Sequence, residues 1–282
     1  MLGRAPSSSA ARGALSQMVP SEGRRVSPVI TRMGWGDDIV FSKAKIVETT
    51  KVANELYTLT IDAGETAKGY TSVGQYVQIR VGPDAKAGFF AIASPPDASS
   101  GKLEFLIKEN DSTKPLVALK TGGTVEMSTV MGKGFPIKEN FSGYKYDFPI
   151  QNVVLSATGT GIAPFRAAIE SGVLELPDEE DDGVFGRSCK LYWGCRDEES
   201  MPWKDRMEDW DKRGVEVVPV LSQPSPSWTG RKGFVQQAIK EDGIRVPRNS
   251  GVLVCGHKEM GDEVKEIALK AGVLDGRVLS NF

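Results

Sequence analysis

The stretch from residue 153 to residue 165 constrains the fold of this chain more than any other. It reads Val-Val-Leu-Ser-Ala-Thr-Gly-Thr-Gly-Ile-Ala-Pro-Phe, an apolar run followed by two closely spaced glycines and the start of a helical pattern. A buried strand, a glycine turn and a helix start leave free backbone N–H groups and the positive end of the helix dipole at one point. The stretch therefore predicts an anion site, and a plain tight turn between two core elements is the alternative.

Pro164 stands where the dinucleotide fingerprint G-x-G-x-x-G would have its third glycine. Proline suits the first turn of a helix, because the N–H group that it lacks would have no helical partner there. The substitution is therefore compatible with a helix that begins directly after the glycine turn.

The chain from residue 41 to about residue 130 has the rhythm of an antiparallel β-barrel. Residues 76–81 alternate with a period of two, as a half-buried strand does. About six such short strands, joined by turn signals and one short helix at residues 115–120, predict a six-stranded antiparallel barrel. We place this domain at residues 41–148.

Beyond Pro149 predicted strands and helices alternate. The strands are expected at residues 153–157, 190–195, 215–221, 251–255 and 277–282, and the helices at residues 162–172, 201–213, 233–241 and 258–271. Such alternation predicts a doubly wound parallel sheet with helices on both faces. This α/β domain would occupy residues 149–282, with the acidic run at residues 178–182 as a solvated loop.

Composition excludes several classes of protein. No apolar run reaches the roughly 18 residues that a membrane helix needs, so we expect no transmembrane segment. The formal net charge of −2 argues against a nucleic-acid partner. The three cysteines are too few for the four thiolates of a plant-type 2Fe–2S cluster, and no metal site is expected.

Residues 1–33 differ in composition from the rest of the chain. They contain five arginines against a single acidic residue, Glu22, together with several serines and alanines. This is the composition of an organelle transit peptide, and an untargeted disordered tail is the alternative. We expect the chloroplast as the destination, with the mitochondrion as the second possibility.

Three further segments follow the expected architecture in order. Residues 132–135 read Gly-Lys-Gly-Phe, residues 192–196 read Tyr-Trp-Gly-Cys-Arg, and residues 255–260 read Cys-Gly-His-Lys-Glu-Met. With the barrel and the glycine turn, they make the chain resemble the ferredoxin–NADP reductase superfamily over residues 41–282. Within it, the chain looks most similar to a plastid FAD/NAD(P)-binding oxidoreductase group of plants and algae.

The resemblance implies that FAD lies across the barrel with its ring system at the domain interface. Two segments and the chain end would contact it: Phe90, Ala91, Ser94, Gly132, Lys133, Gly134 and Phe282. Phe90 and the terminal Phe282 match positions where relatives stack aromatic rings on the flavin. For Phe282, filling of the core is the alternative.

The flavin-binding segment also departs from the family pattern. Relatives carry an R-x-Y-S sequence, whose arginine, tyrosine and serine positions are here Gly88, Phe90 and Ala91. Loss of an arginine–phosphate pair would cost about 1.5–3 kcal/mol of binding free energy. Lys86 or Lys133 could replace the charge from nearby.

The resemblance further implies that NAD(P)H lies over the carboxyl ends of the parallel strands. The residues at that site would be Gly159, Thr160, Gly161, Pro164, Arg196, Ser222, Arg231, Gly256 and Met260. Cys255 would line the path of the hydride beside the nicotinamide, and a buried core cysteine is the alternative. His257 is the only histidine, and a surface residue at a helix start is its simpler interpretation.

The choice between NADPH and NADH depends on a clamp for the 2′-phosphate, for which arginine is the usual residue. Arg196, Arg231 and Lys232 are candidates, and ordinary surface charges are the alternative reading of each. Gln223 stands where many relatives have arginine, which weakens the case for NADPH. Plastids supply NADPH, and on that ground we expect NADPH to be the donor.

The resulting hypothesis is a plastid flavoprotein that passes hydride from NAD(P)H to FAD and then to an unidentified acceptor. The alternative is a regulatory or assembly protein that keeps the nucleotide fold with weakened flavin chemistry. Removal of residues 1–33 would take the net charge from −2 to about −6. Because ferredoxins are acidic, we do not expect ferredoxin to be the main partner.

Overall fold

The computed structural model describes residues 30–31, 39–97, 99–143, 145–177 and 187–281. Apart from Ile30–Thr31, the predicted transit peptide lies outside the described residues, as do the acidic run and Phe282. The described elements form two sheets, one antiparallel and one parallel.

The antiparallel sheet is built from residues in the first half of the chain. Its strands are β1 (Ile30–Thr31), β2 (Ile39–Ala53), β3 (Leu56–Asp62), β4 (Tyr76–Arg80), β5 (Gly88–Ala91), β6 (Lys102–Lys108) and β7 (Thr124–Ser128). Two short helices, α1 (Lys114–Val117) and α2 (Ile137–Phe141), precede and follow β7. The strand order is β5-β4-β7-β2-β3-β6, and β1 pairs with the start of β2.

The sheet curls into a nearly closed barrel. An isolated bridge between Ile92 and Phe105 joins the end of β5 to β6, the two edges of the strand order. The period of two explains the core, because Val77 and Ile79 point inward with Leu59 of β3. The predicted six-stranded antiparallel barrel is confirmed, with β1 as an additional short partner of β2.

The parallel sheet is built from β8 (Asn152–Thr158), β9 (Ser188–Cys195), β10 (Val215–Leu221), β11 (Arg231–Lys232), β12 (Ser250–Cys255) and β13 (Val278–Ser280). Its order is β11-β10-β9-β8-β12-β13. Every neighbouring pair is parallel, as the alternating sequence predicts. The two-residue strand β11 was not predicted.

Four helices cover the two faces of the parallel sheet. They are α3 (Ala163–Glu170), α4 (Met207–Lys212), α5 (Val235–Asp242) and α6 (Lys258–Ala271). Leu155 of β8 shares a core cluster with Phe165 and Trp210, so α3 and α4 lie on its face. Val154 points to the opposite face, where α5 and α6 pack. The doubly wound arrangement is confirmed.

The predicted helix at residues 201–213 is wrong in its first half. The α-helix begins only at Met207, and Trp203 adopts a left-handed conformation with φ 55°. The indole of Trp203 is 5% exposed, and its Nε1 donates to Thr58 Oγ1 of the barrel over 2.9 Å. Its apolar side chain, which looked like one face of a helix, is part of the contact between the two domains.

A buried arginine also joins the domains. Arg166 on α3 is 3% exposed, and its Nη1 lies 2.7 Å from a carboxylate oxygen of Glu104 on β6. Its guanidinium also bonds Glu170 and lies 4.8 Å from the ring of Trp203. The contact fixes α3 against the barrel. In the described part of the chain, no helix is long and apolar enough to cross a membrane.

Candidate functional site

The strand order of the parallel sheet reverses at β8. From β8 the chain proceeds outward through β9, β10 and β11, whereas β12 pairs with the other edge of β8. The loops that follow β8 and β12 therefore diverge above adjacent strand ends. In doubly wound folds, ligands bind in the crevice that this divergence opens.

Two glycines let the ends of β8 and β12 approach each other. A Cβ atom on Gly161 would lie 2.3 Å from the carbonyl oxygen of Cys255. A Cβ atom on Gly256 would lie 2.1 Å from Thr158 Oγ1, and Gly256 has φ 140°. Neither contact is sterically possible, so both motifs need glycine in order to pack against one another.

Gly159 has a different reason to be glycine. Its φ of 55° is left-handed, and a Cβ atom there would meet nothing within 4 Å. The turn formed by Gly159–Ile162 leads directly into α3, with Pro164 in the first turn of that helix. Gly159 and Thr160 are exposed, so the backbone of this turn is accessible to a ligand, as the anion-site prediction requires.

A cleft of about 470 Å³ opens above these strand ends. Thr158, Gly159 and Thr160 form one wall, and Gly194, Cys195, Arg196 and Ser222 line it from the ends of β9 and β10. Residues 54–56 of the β2–β3 hairpin and Lys108 contribute from the barrel. The cleft therefore lies between the two domains, where a dinucleotide could meet a group bound to the barrel.

Cys255 ends β12 beside the glycine turn, and its side chain is 8% exposed. It belongs to the core cluster that spans both domains, together with Leu56 and Leu106 of the barrel. Burial raises the pKa of the Cys255 thiol to about 12. The group is thus a neutral thiol near pH 7 rather than a nucleophile, and Cys255 lies beneath the cleft, not among the described residues that line it.

The start of α6 closes the cleft on the side of β12. Met260 is buried, lines the cleft, and lies with its sulfur 3.2 Å from Ser156 Oγ. His257 precedes the helix and is exposed to the same cleft. The Cys-Gly-x-x-x-Met segment thus contributes Met260 to the site and Gly256 to the packing beneath it.

The predicted phosphate-binding cations have other partners. Arg231 bonds Asp242 and Glu241, at the end of α5, and it is not one of the described residues that line the cleft. Arg196 does line the cleft, but its Nε donates to Asp197 over 2.9 Å. Lys232 is exposed. The structure therefore brings Arg196 and Ser222 to the cleft and turns Arg231 away from it.

The two predicted flavin segments meet at Tyr76. Ala91 is the cross-strand partner of Tyr76, and Met131 forms a bridge with Tyr76 on its other side. A Cβ atom on Gly132 would lie 2.8 Å from the Tyr76 ring, and Gly132 has φ 78°. The glycine loop of residues 132–134 therefore packs against Tyr76, the cross-strand partner of the end of β5.

Phe90 covers the position of the missing arginine. A Cβ atom on Gly88 would lie 2.8 Å from Cζ of Phe90, which is half-buried at the edge of the barrel. Ser94 has a structural partner, because its Oγ accepts from the backbone N–H of Glu104 over 3.1 Å. Lys133 is exposed in the glycine loop.

The comparisons with known proteins agree with this geometry. Residues 155–266 match the family model described as "Oxidoreductase NAD-binding domain". Over 241 residues the chain is 34% identical to fruit protein pKIWI502 of Actinidia deliciosa, covering 80% of this chain and 72% of that protein. The chain belongs to the ferredoxin–NADP reductase superfamily. It is accordingly an oxidoreductase of a superfamily whose cofactors are FAD and NAD(P).

Two further similarities are to proteins named as reductases. An NAD(P)H-flavin reductase of Vibrio harveyi is 29% identical over 203 residues, covering 68% of this chain and 78% of that one. A ferredoxin NADP+ reductase of Neisseria gonorrhoeae has the same fold, with a TM-score of 0.67 and 18% identity. That alignment covers 86% of this chain and 99% of the bacterial one.

The residues of this superfamily member fit a nicotinamide nucleotide well and FAD in part. For the nucleotide, the open backbone at Gly159 and the contact at Gly161 provide a phosphate turn beside a cleft. For FAD, the chain offers the half-buried Phe90 ring at the end of β5 and the exposed Lys133 within the glycine loop. The arginine position is the exception, because Gly88 offers no charge.

Sequence reasoning missed several residues of the site. Phe234 lines the cleft, is 55% exposed and directly precedes α5, so its ring is available to a planar ligand. Thr158 and the hairpin residues 54–56 also line the cleft. Phe234 could have been noticed as an aromatic residue after Gly233 at a helix start. The hairpin could not, because its role depends on how the domains pack.

Proposed function

We propose that this chain takes a hydride from NAD(P)H, transfers it to FAD and passes the electrons to a separate acceptor. The observation that carries the proposal is the cleft at the reversal point of the parallel sheet, which the barrel hairpin also lines. A bound flavin would supply the redox chemistry, since it accepts hydride and releases electrons singly or in pairs.

The chain's own residues bind and orient the reactants. The exposed turn at Gly159 and Thr160 would receive the nucleotide pyrophosphate at the start of α3. Phe234 and Ser222 line the cleft further along the strand ends, where the adenosine half would lie. The neutral thiol of Cys255 would keep charge away from the path of the hydride. Phe90 and the loop of residues 132–134 would hold the flavin.

The first test is reconstitution of the full-length protein with FAD. We expect a yellow protein with flavin absorption bands that bleach when NADH or NADPH is added without oxygen. Steady-state reduction of ferricyanide should then depend on both cofactors. A protein that binds nucleotide but no FAD would instead support the alternative, a regulatory or assembly protein on this fold.

Two glycines form a matched pair for the nucleotide site. Gly159 and Gly172 have φ values of 55° and 72°, and a Cβ atom at either would meet nothing within 4 Å. Alanine should therefore cost about 1 kcal/mol of stability at both positions. Only Gly159 lines this cleft, so only Gly159→Ala should raise the KM for NAD(P)H, by about tenfold or more. Equal KM values for the two variants would contradict the proposed site.

We also infer a plastid location, on the composition of residues 1–33. A fusion of this segment to a fluorescent protein should enter chloroplasts, and accumulation in mitochondria would support the second destination. Mass spectrometry of the imported protein distinguishes cleavage near residue 33 from cleavage before residue 30. Only the second product would keep Ile30–Thr31, which pairs with β2.

A further inference from the structure

His257, the only histidine in the chain, lies beside the proposed phosphate turn. Its backbone N–H donates to Thr158 Oγ1 over 3.0 Å, and its ring Nδ1 lies 3.2 Å from the same oxygen. Thr158 directly precedes Gly159. Two contacts to one hydroxyl therefore hold the imidazole next to the turn that would receive the pyrophosphate.

The contact with the Thr158 hydroxyl engages Nδ1 and leaves Nε2 as the outer nitrogen of the ring. A threonine hydroxyl has one proton to donate and can accept two hydrogen bonds. Thr158 Oγ1 accepts from the backbone N–H of His257 and lies 3.2 Å from Nδ1, a contact in which either the hydroxyl or Nδ1–H can be the donor. When the hydroxyl donates to Nδ1, the neutral ring carries its N–H group on Nε2, and the protonated ring carries one on both nitrogens. No protein group in the described part of the chain forms a hydrogen bond with Nε2.

The other charges around His257 are largely neutralised in pairs. On its own helix, Lys258 bonds Asp262, while Glu259 lines the cleft as a carboxylate. From β9 the cleft receives Arg196, bonded to Asp197. From the barrel it receives Lys108, which lies 3.6 Å from Glu55. A protonated imidazole would therefore add a positive charge that is not paired with any of these carboxylates.

We propose that His257 is a proton-dependent ligand of the nucleotide pyrophosphate. This inference rests on the proposed function, since it assigns a residue within the same site. In the neutral form, Nε2–H can donate one hydrogen bond to a phosphate oxygen. In the protonated form, the ring adds a positive charge to that bond, and charge-assisted hydrogen bonds are the stronger kind. An imidazole gains this charge between about pH 5 and pH 8.

The sign of the pH dependence follows from linkage. An anionic ligand that contacts the imidazole stabilises its protonated form, so the bound protein holds its proton to higher pH than the free protein. Affinity should therefore rise as the pH falls through the titration of the ring. A tenfold change in affinity corresponds to a difference of one unit between the ring's pKa in the bound and in the free protein, and for a partly exposed pair we expect about threefold to tenfold.

ADP-ribose tests this without redox chemistry, because it contains the pyrophosphate and lacks the nicotinamide. For the wild-type protein, the calorimetric Kd should fall about threefold to tenfold between pH 8 and pH 5.5. In His257→Gln the Kd should be nearly independent of pH, while the backbone bond to Thr158 that starts the helix remains. Lys258→Gln is the matched control, because it removes a neighbouring charge and should keep the wild-type pH dependence.

Proton NMR gives a second readout that a purely structural role would not move. The single histidine yields one Hε1 resonance, assigned by its disappearance in His257→Gln. Saturating ADP-ribose should move its titration midpoint upward by about half a unit to one unit. An unchanged or lower midpoint, or a pH dependence that persists in His257→Gln, would overturn the assignment. Failure of the wild-type protein to bind ADP-ribose at any pH would instead refute the nucleotide site itself.

Discussion

At position 88 the chain has glycine where the superfamily's flavin-binding segment has arginine, and the Phe90 ring occupies the adjacent space. We expect Gly88→Arg to tighten FAD binding by about tenfold, the lower end of what an arginine–phosphate pair contributes, because the ring must move aside. Fluorescence titration with FAD measures this. Gly88→Ala is the control, since it displaces the ring without adding charge and should not tighten binding.

The choice between NADH and NADPH also depends on single residues. Arg231 is bound by two carboxylates and Arg196 by one, and Gln223 follows Ser222 without a charge. These contacts argue against the predicted use of NADPH, and we expect kcat/KM for NADH to equal or exceed that for NADPH.

Gln223→Arg should then raise kcat/KM for NADPH by about tenfold and leave the value for NADH nearly unchanged, because arginine can clamp the 2′-phosphate. Gln223→Ala controls for loss of the amide. A wild-type enzyme that strongly prefers NADPH would show that some other cation reaches the phosphate.

Helix α3 connects the glycine turn to the barrel through Arg166. Arg166→Met should lower the free energy of unfolding by about 3 kcal/mol, because Glu104 and Glu170 lose a buried partner. Chemical denaturation measures the change. Lys270→Met is the matched control, since it breaks an exposed pair with Glu266 on α6 and should hardly change the free energy of unfolding. Similar losses in both variants would contradict the role of Arg166.

Elements with a strong local pattern were predictable from the sequence, and those shaped by the other domain were not. Helix α6 was predicted at its observed bounds, because its apolar face repeats regularly and Gly272 ends it in a left-handed conformation. The segment around Trp203 was predicted wrongly, because that residue packs against a barrel strand about 145 positions away in the sequence. Local periodicity carries no information about such a contact.

The same distinction applies to the candidate site. The glycines at positions 159 and 161 were found from their spacing, yet spacing could not show that Gly161 packs against Cys255. Arg231 was predicted as a cation of the site, but its side chain bonds carboxylates at the end of α5 and does not line the cleft. Phe282 stays a prediction, because it lies outside the described residues.

At the scale of the whole molecule, the described barrel strands place several surface lysines beside carboxylates. Lys45 and Lys102 both flank Asp62 across strands, and Lys43 is opposite Glu126, so carboxylates interrupt these lysines. Screening beyond about 8 Å further limits attraction from distant charges.

We therefore expect ferricyanide to be reduced far faster than plant-type ferredoxin, with ferredoxin turnover almost independent of salt. Stopped-flow measurements from low to high ionic strength test this. Rapid reduction of ferredoxin that collapses as salt increases would reveal a basic docking surface and refute the expectation.

The placement of β12 on the far edge of β8 has a consequence for biosynthesis. β8 is the first strand of its sheet to leave the ribosome, and β12 follows it by about 90 residues. At roughly 5–20 residues per second, β8 waits about 5–18 seconds with one edge unpaired. During translation this central strand is temporarily an edge strand, the kind most prone to pairing with another chain. The nucleotide cleft, which needs both strand ends, is completed only when synthesis is nearly over.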